Sequence, residues 1–140
     1  MNDSKLLGDS GEHYALAMLG FANLACSKLP DNWKFYDLIV QKDSQIIRVN
    51  VKTRSETKSF SSSSWFIFDS TGQYDWVIFI IKFKNSDLGA WVIPLEIALK
   101  HSSVPKKTSL LPNSRRLSWR TLQKSELSKY KNNWQLAYFN

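Results

Sequence analysis

The sequence predicts an α/β fold, a central mixed β-sheet flanked by helices. Three observations predict it. An apolar-periodic stretch opens the chain, two strand-like runs separated by a tight connection follow it, and a nearly all-apolar run lies at residues 74–83. Helix, four or five strands, short helix and tail is the order of a layered domain with one mixed sheet.

Each element has a local reason. Ser10-Gly11 precedes a stretch running to about Leu24, in which Ala15, Leu16, Leu19 and Ala22 or Asn23 recur at helical spacing. Ser10 is read as its N-cap. Pro30-Asp31-Asn32 marks a turn, and residues 34–40 read as a strand. Lys42-Asp43-Ser44 is a tight connection into a second strand at 45–53, which makes the pair an antiparallel hairpin. Residues 55–64, with four consecutive serines at 61–64, read as a flexible polar loop. A short strand at 65–68 and a turn at 71–73 lead to the apolar run at 74–83, expected at the centre of the sheet. Residues 90–93 form another strand, stopped by Pro94, and 95–100 a short helix. Residues 101–118 look irregular, and 119–134 are expected to hold the last helix.

Size and composition suit one globular domain over residues 1–140, with 43% hydrophobic residues, 14% aromatic residues and six Trp. The lone cysteine, Cys26, excludes an intrachain disulfide and a cysteine-based zinc site. No signal peptide is visible, and the longest purely apolar run, residues 76–81, is too short to span a bilayer. A cytoplasmic protein without membrane attachment is expected. The net charge of +7 is unevenly placed. Residues 1–99 hold ten Lys or Arg against eleven Asp or Glu, whereas residues 100–140 hold nine against one. A basic segment at 100–140 points to a polyanionic partner, nucleic acid first, although a solvated basic tail has the same composition. Its aromatics Trp119, Tyr130, Trp134, Tyr138 and Phe139 favour an ordered segment.

The chemistry-bearing residues lie in three separate stretches. Side chains alternate along a strand, so Ile47, Val49 and Val51 share one face, while Arg48, Asn50, Lys52 and Arg54 share the other. A solvent-facing edge strand alternates in the same way. The preceding strand changes the reading, because Asp37 sits among apolar neighbours in Tyr36-Asp37-Leu38-Ile39-Val40. A buried carboxylate needs a cation, a metal or donors, and the hairpin can set Asp37 beside Asn50 and Lys52. Capping the start of a buried strand is the plainer role for it. Glu12 precedes Ala15, Leu16 and Leu19 on the apolar helix face, which turns it toward the sheet. A first-turn glutamate that helps to cap the helix is the plainer reading there.

Taken together, Gly11-Glu12, Tyr36-Asp37-Leu38-Ile39-Val40 and Val49-Asn50-Val51-Lys52-Thr53 resemble the PD-(D/E)XK nuclease superfamily, the restriction-endonuclease-like enzymes. That group includes restriction enzymes, Holliday junction resolvases and some intron-encoded homing endonucleases. The resemblance covers residues 8–54. Tyr74-Asp75-Trp76 and Trp91-Val92-Ile93-Pro94 are similar to the later part of its small members.

The resemblance implies that Asp37 is the principal metal ligand and Glu12 an accessory carboxylate, with Asn50 and the Val51 carbonyl completing a site for Mg²⁺ or Mn²⁺. It implies that Lys52 positions the attacking water and stabilises charge on the phosphate. The expected reaction is metal-dependent endonucleolytic hydrolysis of double-stranded DNA, site-specific in the homing or restriction manner, with a resolvase-like enzyme as the alternative. Asn50 departs from the pattern, which usually has Asp or Glu there. A natural active variant, a catalytically degenerate DNA-binding module and an engineered inactive chain all fit that departure. Arg48, Arg54, Lys58, Lys106, Lys107, Arg115, Arg116 and Arg120 are the expected DNA contacts, together with the serines of the 61–64 loop. Cutting both strands with one site per chain requires a homodimer or homotetramer. His13 and His101 are expected at the surface, Trp65, Phe66, Trp76, Phe79 and Trp91 in the core, and Asp75 in a turn.

Overall fold

A computed structural model describes residues 3–139. Its main sheet has five strands: β1 (Ala25–Lys28), β2 (Leu38–Lys42), β3 (Gln45–Ser55), β5 (Trp76–Lys82) and β6 (Leu88–Pro94). They are ordered β1-β2-β3-β5-β6. The β3–β5 pair is parallel and every other neighbouring pair in this sheet is antiparallel. Strands β4 (Trp65–Asp69) and β7 (Ser114–Ser118) form a separate antiparallel ribbon. Helix α1 (Asp3–Phe21) precedes β1, and α2 (Leu95–His101) follows β6. Two single-turn helices, α3 (Trp119–Leu122) and α4 (Ser125–Ser128), follow β7. Among the described residues no helix is long and apolar enough to cross a membrane.

The sheet separates two apolar layers. Helix α1 closes one with Ala15 and Leu19, over Ile47, Val49 and Val51 of β3 and Trp76, Ile78 and Ile80 of β5. The other holds Val77, Phe79 and Ile81 under Phe66, Phe68 and Leu117 of the ribbon and Ala98 of α2. Strand β5 feeds both layers, which explains why its sequence is apolar at consecutive positions.

Helix α1 begins earlier than the sequence suggests. Ser10 is a mid-helix residue whose hydroxyl donates to the Leu6 carbonyl at 2.8 Å. Its short polar side chain satisfies itself on the preceding turn, so it gives the signature of a cap without being one. The C-terminus is a Schellman closure: Asn23 takes φ 67°, its N–H reaches the Gly20 carbonyl at 2.9 Å, and the Leu24 N–H reaches that of Leu19 at 3.1 Å.

The β2–β3 hairpin is as expected, with Lys42 paired to Gln45 across Asp43-Ser44. The first strand starts at Leu38 rather than 34, and β1, unforeseen, pairs with its outer edge. One C-terminal expectation is corrected: the stretch 101–118 contains β7, while the last helix does lie within 119–134, as the single turns α3 and α4. Past α4 the backbone instead bonds along β6, with the Val92 N–H on the Tyr130 carbonyl at 3.1 Å and the Asn132 N–H on that of Ala90 at 2.9 Å. Positive φ at Asn132 (58°) and Leu136 (55°) turns Trp134 and Leu136 into the α1 layer. Backbone pairing along an otherwise open sheet edge takes the place of a longer helix there.

Gly11 sets how closely α1 approaches β3. A Cβ there would lie 1.9 Å from the Thr53 hydroxyl oxygen and 3.0 Å from its Cβ, while Gly8 and Gly20 have nothing within 4 Å. Gly11→Ala is therefore expected to force the helix outward and to lower stability by about 1–3 kcal/mol in urea titrations. Gly8→Ala serves as the control and is expected to raise stability by about 0.5–1 kcal/mol. Equal effects at both positions would contradict the close approach.

Candidate functional site

The last ladder pair of β2 and β3 is Leu38 with Val49. One residue earlier, opposite Asn50, the strands part. The Asp37 N–H still donates to the Val49 carbonyl at 2.9 Å. Its carboxylate Oδ2 then accepts the Val51 N–H at 2.7 Å, in place of a further backbone partner. In an extended strand the N–H and C=O of one residue point to the same side, so the Val51 carbonyl also faces the gap where Asp37 lies.

Glu12 reaches this place from α1 and Lys28 from β1. Gly11 lies beneath Thr53, and the next residue, Glu12, carries a side chain only 18% exposed. The Lys28 ammonium lies 3.5 Å from Glu12 Oε1 and 2.8 Å from Asp31 Oδ1. Glu12 and Asp37 line one depression of about 230 Å³ with Tyr36, Trp33 and Asp31. Lys52 lines a separate groove of about 340 Å³ together with Ile67, Phe68, Asp69 and residues 110–114.

Burial, then the nearby Asp37 charge, pushes the Glu12 carboxyl above its usual range, with Lys28 opposing. Burial also pushes up Asp37, against the Val51 N–H and the charges of Lys52 and Lys28. Both carboxylates are therefore held in the folded chain at a cost in stability. The Asn50 Oδ1 is sealed from solvent with no hydrogen-bond donor. Among the described residues no three His, Cys, Asp or Glu converge as a metal-binding group. Two carboxylates meet at the parting, while the Asn50 amide and the Val51 carbonyl lie on the adjoining strand β3, with the Asn50 side chain on the face away from α1. Hard oxygen donors of this kind fit Mg²⁺ or Mn²⁺, and a buried amide oxygen without a donor fits a missing cationic partner.

The expected DNA contacts fall into different settings. Arg48 is tied to Asp75 by two guanidinium hydrogen bonds of 3.0 and 3.2 Å, and its own N–H donates to the same carboxylate at 2.8 Å. Asp75 is thus the clasp between β3 and the start of β5 rather than a simple turn residue. Burial raises its pKa, but the Arg48 bonds outweigh that and hold it below the usual range. Arg54 donates to the Trp65 carbonyl, Arg120 to the Ser62 hydroxyl at 3.1 Å, and Arg115 to the carbonyls of Pro112 and Ser114. Lys58, Lys106, Lys107 and Arg116 are exposed. Of the five aromatics expected inside, Trp65 is 38% exposed, because β4 turns Phe66 and Phe68 inward instead. His13 is exposed and His101 half-buried. Sequence reasoning missed Lys28, since the four-residue β1 lacks any β-branched residue to signal a strand.

No family model and no curated protein matches the chain. Solved structures do. A bacterial homing endonuclease, I-Ssp6803I, superposes with a TM-score of 0.61 at 15% identity, covering 97% of this chain and 91% of that one. Hjc from Archaeoglobus fulgidus, a Holliday junction resolvase from an archaeal hyperthermophile, superposes at 0.54 and 9% identity, covering 95% and 98%. The chain has the restriction-endonuclease-like fold that the sequence resemblance implied. Both of these neighbours are nucleases.

The raised carboxylates give a testable sign. Between the ordinary carboxylate pKa and the raised folded value, the folded state keeps protons that the unfolded chain has released. Stability contributed by Asp37 and Glu12 therefore falls as pH rises through that window. Asp37→Asn keeps an acceptor for the Val51 N–H and removes the charge. The metal-free variant is expected to have a higher urea midpoint than the parent at pH 7, with the gap closing as pH falls into the carboxylate range. A less stable variant at pH 7 would show that the charge is not held at a cost.

Proposed function

We propose that this chain is a divalent-metal-dependent endonuclease acting on double-stranded DNA. The observation that carries the reading is the meeting of Glu12 and Asp37, under the influence of Lys52, where β2 and β3 part. The fold shared with two nucleases supports it.

In this reading Asp37 and Glu12, with the Asn50 amide oxygen and the Val51 carbonyl, would hold Mg²⁺ or Mn²⁺. When bound, the ion would polarise a phosphate oxygen and lower the pKa of water. Lys52 Nζ donates a hydrogen bond to the attacking water and to a non-bridging phosphate oxygen, where negative charge grows in the transition state. The water oxygen bonds to phosphorus, its proton passes to solvent, and one ester oxygen leaves with the bonding pair and is protonated. Lys28 holds Glu12 in place and offsets its charge beside Asp37. Arg54, Lys58, Lys106, Lys107, Arg115 and Arg120, with the Ser61 to Ser64 hydroxyls, contact phosphates. Arg48, engaged by Asp75, serves the fold. Six such phosphate contacts give a log–log salt slope of about −5. Paired cuts require two sites, and so a homodimer or homotetramer.

Asn50 supports a second reading, a DNA-binding module of the same fold without cleavage, because a neutral amide is a weaker ligand than a carboxylate. Nicking of supercoiled plasmid with Mg²⁺ and with chelator separates the two. The parent is expected to nick only with the metal, and Lys52→Ala to lower the rate by about 10²–10³. An inert parent that Asn50→Asp or Asn50→Glu activates would establish the binding module with a degenerate site. Undiminished cleavage by Lys52→Ala would remove the catalytic assignment. Comparing linear duplex with four-way junctions tests the resolvase-like alternative.

A further inference from the structure

The β4–β7 ribbon has two unlike faces. Phe66, Phe68 and Leu117 point into the core and are at most 2% exposed. The opposite face carries Trp65 and Ile67, 38% and 47% exposed, with Arg116 paired across from Ile67. The Arg116 guanidinium carbon sits 4.5 Å from the centre of the Trp65 ring. This contact holds a flexible cation in one region above the ribbon. Arg115, its chain neighbour, pairs opposite the buried Phe68 and donates to the carbonyls of Pro112 and Ser114 at 3.2 and 2.8 Å.

The surroundings are cationic. Arg54 lies at one end of the ribbon on the Trp65 carbonyl, and Arg120 is tethered nearby to Ser62. The acid on the ribbon, Asp69, accepts from the N–H and hydroxyl of Thr71, both at 2.8 Å. The groove that Lys52 lines is also lined by Ile67, Phe68 and Asp69. A polyanion seated at Lys52 therefore meets this face next.

We propose that the outward face of the β4–β7 ribbon enters the major groove of duplex DNA, where Arg116, held by Trp65, reads guanine. The proposal rests on the reading of the chain as a DNA-acting protein. A two-stranded antiparallel ribbon fits the width of the major groove, and a planar guanidinium holds two N–H donors in one rigid plane toward guanine O6 and N7, a geometry that the flexible ammonium of lysine holds less firmly. Ile67, beside it, offers an apolar contact to a thymine methyl group. The cations flanking the face favour DNA over a second copy of this net-positive chain.

The test is selection of duplexes from a random library by the full-length protein in chelator, so that binding is scored without cleavage. The parent is expected to enrich sequences with a fixed guanine, and to lose affinity when that base is replaced by 7-deazaguanine. Arg116→Lys keeps the charge. It should retain the parent's salt slope, lose roughly tenfold or more of the guanine preference, and become indifferent to 7-deazaguanine. Arg115→Lys should select as the parent does. Identical selection by parent and Arg116→Lys, or no base preference in the parent, overturns the proposal. Plasmid nicking remains a separate measurement. A guanine preference without nicking would remove the nuclease reading alone, and nicking without an Arg116-dependent preference would remove the ribbon reading alone.

Discussion

The candidate site depends on one hydrogen bond, from the Val51 N–H to the Asp37 carboxylate. A strand that separates from its neighbour normally leaves backbone donors to water. Here the carboxylate takes the place of the next backbone acceptor. The bond allows β2 and β3 to part without stranding an amide, and it fixes an acidic group at the point of parting. It also fixes the direction of the alternation beyond it, so that Asn50 and Lys52 follow on the same strand with their side chains turned away from the α1 layer.

The second constraint is the approach of α1. Glu12 comes near Asp37 because the preceding residue has no side chain and can rest on Thr53. The Thr53 hydroxyl is buried there without a hydrogen-bond partner, itself a cost. Close packing, a buried unpaired hydroxyl and two carboxylates raised by burial all fall within one small region. Natural sequences depart from local consistency most often where function requires it. Elsewhere the core shows alternation along β3, two-sided burial of β5 and a capped helix end, although the buried indole N–H groups of Trp91 and Trp134 also lack a hydrogen-bond partner.

Much of this was readable in the sequence, and the reason differs by segment. The hairpin was legible because its alternation and turn are local properties of residues 42–51. Glu12 was legible through helical spacing to Ala15 and Leu19, although its helix start was misread from Ser10. The C-terminal third was not legible, because its structure is set by distant partners. Residues 130–132 bond along β6, and β7 exists only because β4 offers it an edge. Trp65 was misassigned for a related reason: in Trp65-Phe66-Ile67-Phe68 every residue is apolar, so only the ribbon's seating on the sheet decides which alternate pair faces inward. Lys28 sits on a strand too short to announce itself.

Asn50 then takes on a meaning beyond a departure from a pattern. The site brings two carboxylates together, and the Asp37 charge is already among the causes that raise Glu12. A third carboxylate at position 50 would add to that repulsion in a partly buried region, where like charges are screened poorly. Lys28 is shared between Glu12 and Asp31, and the Asn50 amide adds no further negative charge to the group. The metal-free fold is thereby relieved of one charge, while a bound cation would lose one anionic ligand. In the proposed metal site the residue that would weaken ligation thus also eases folding of the metal-free chain, and the two effects have the same electrostatic origin.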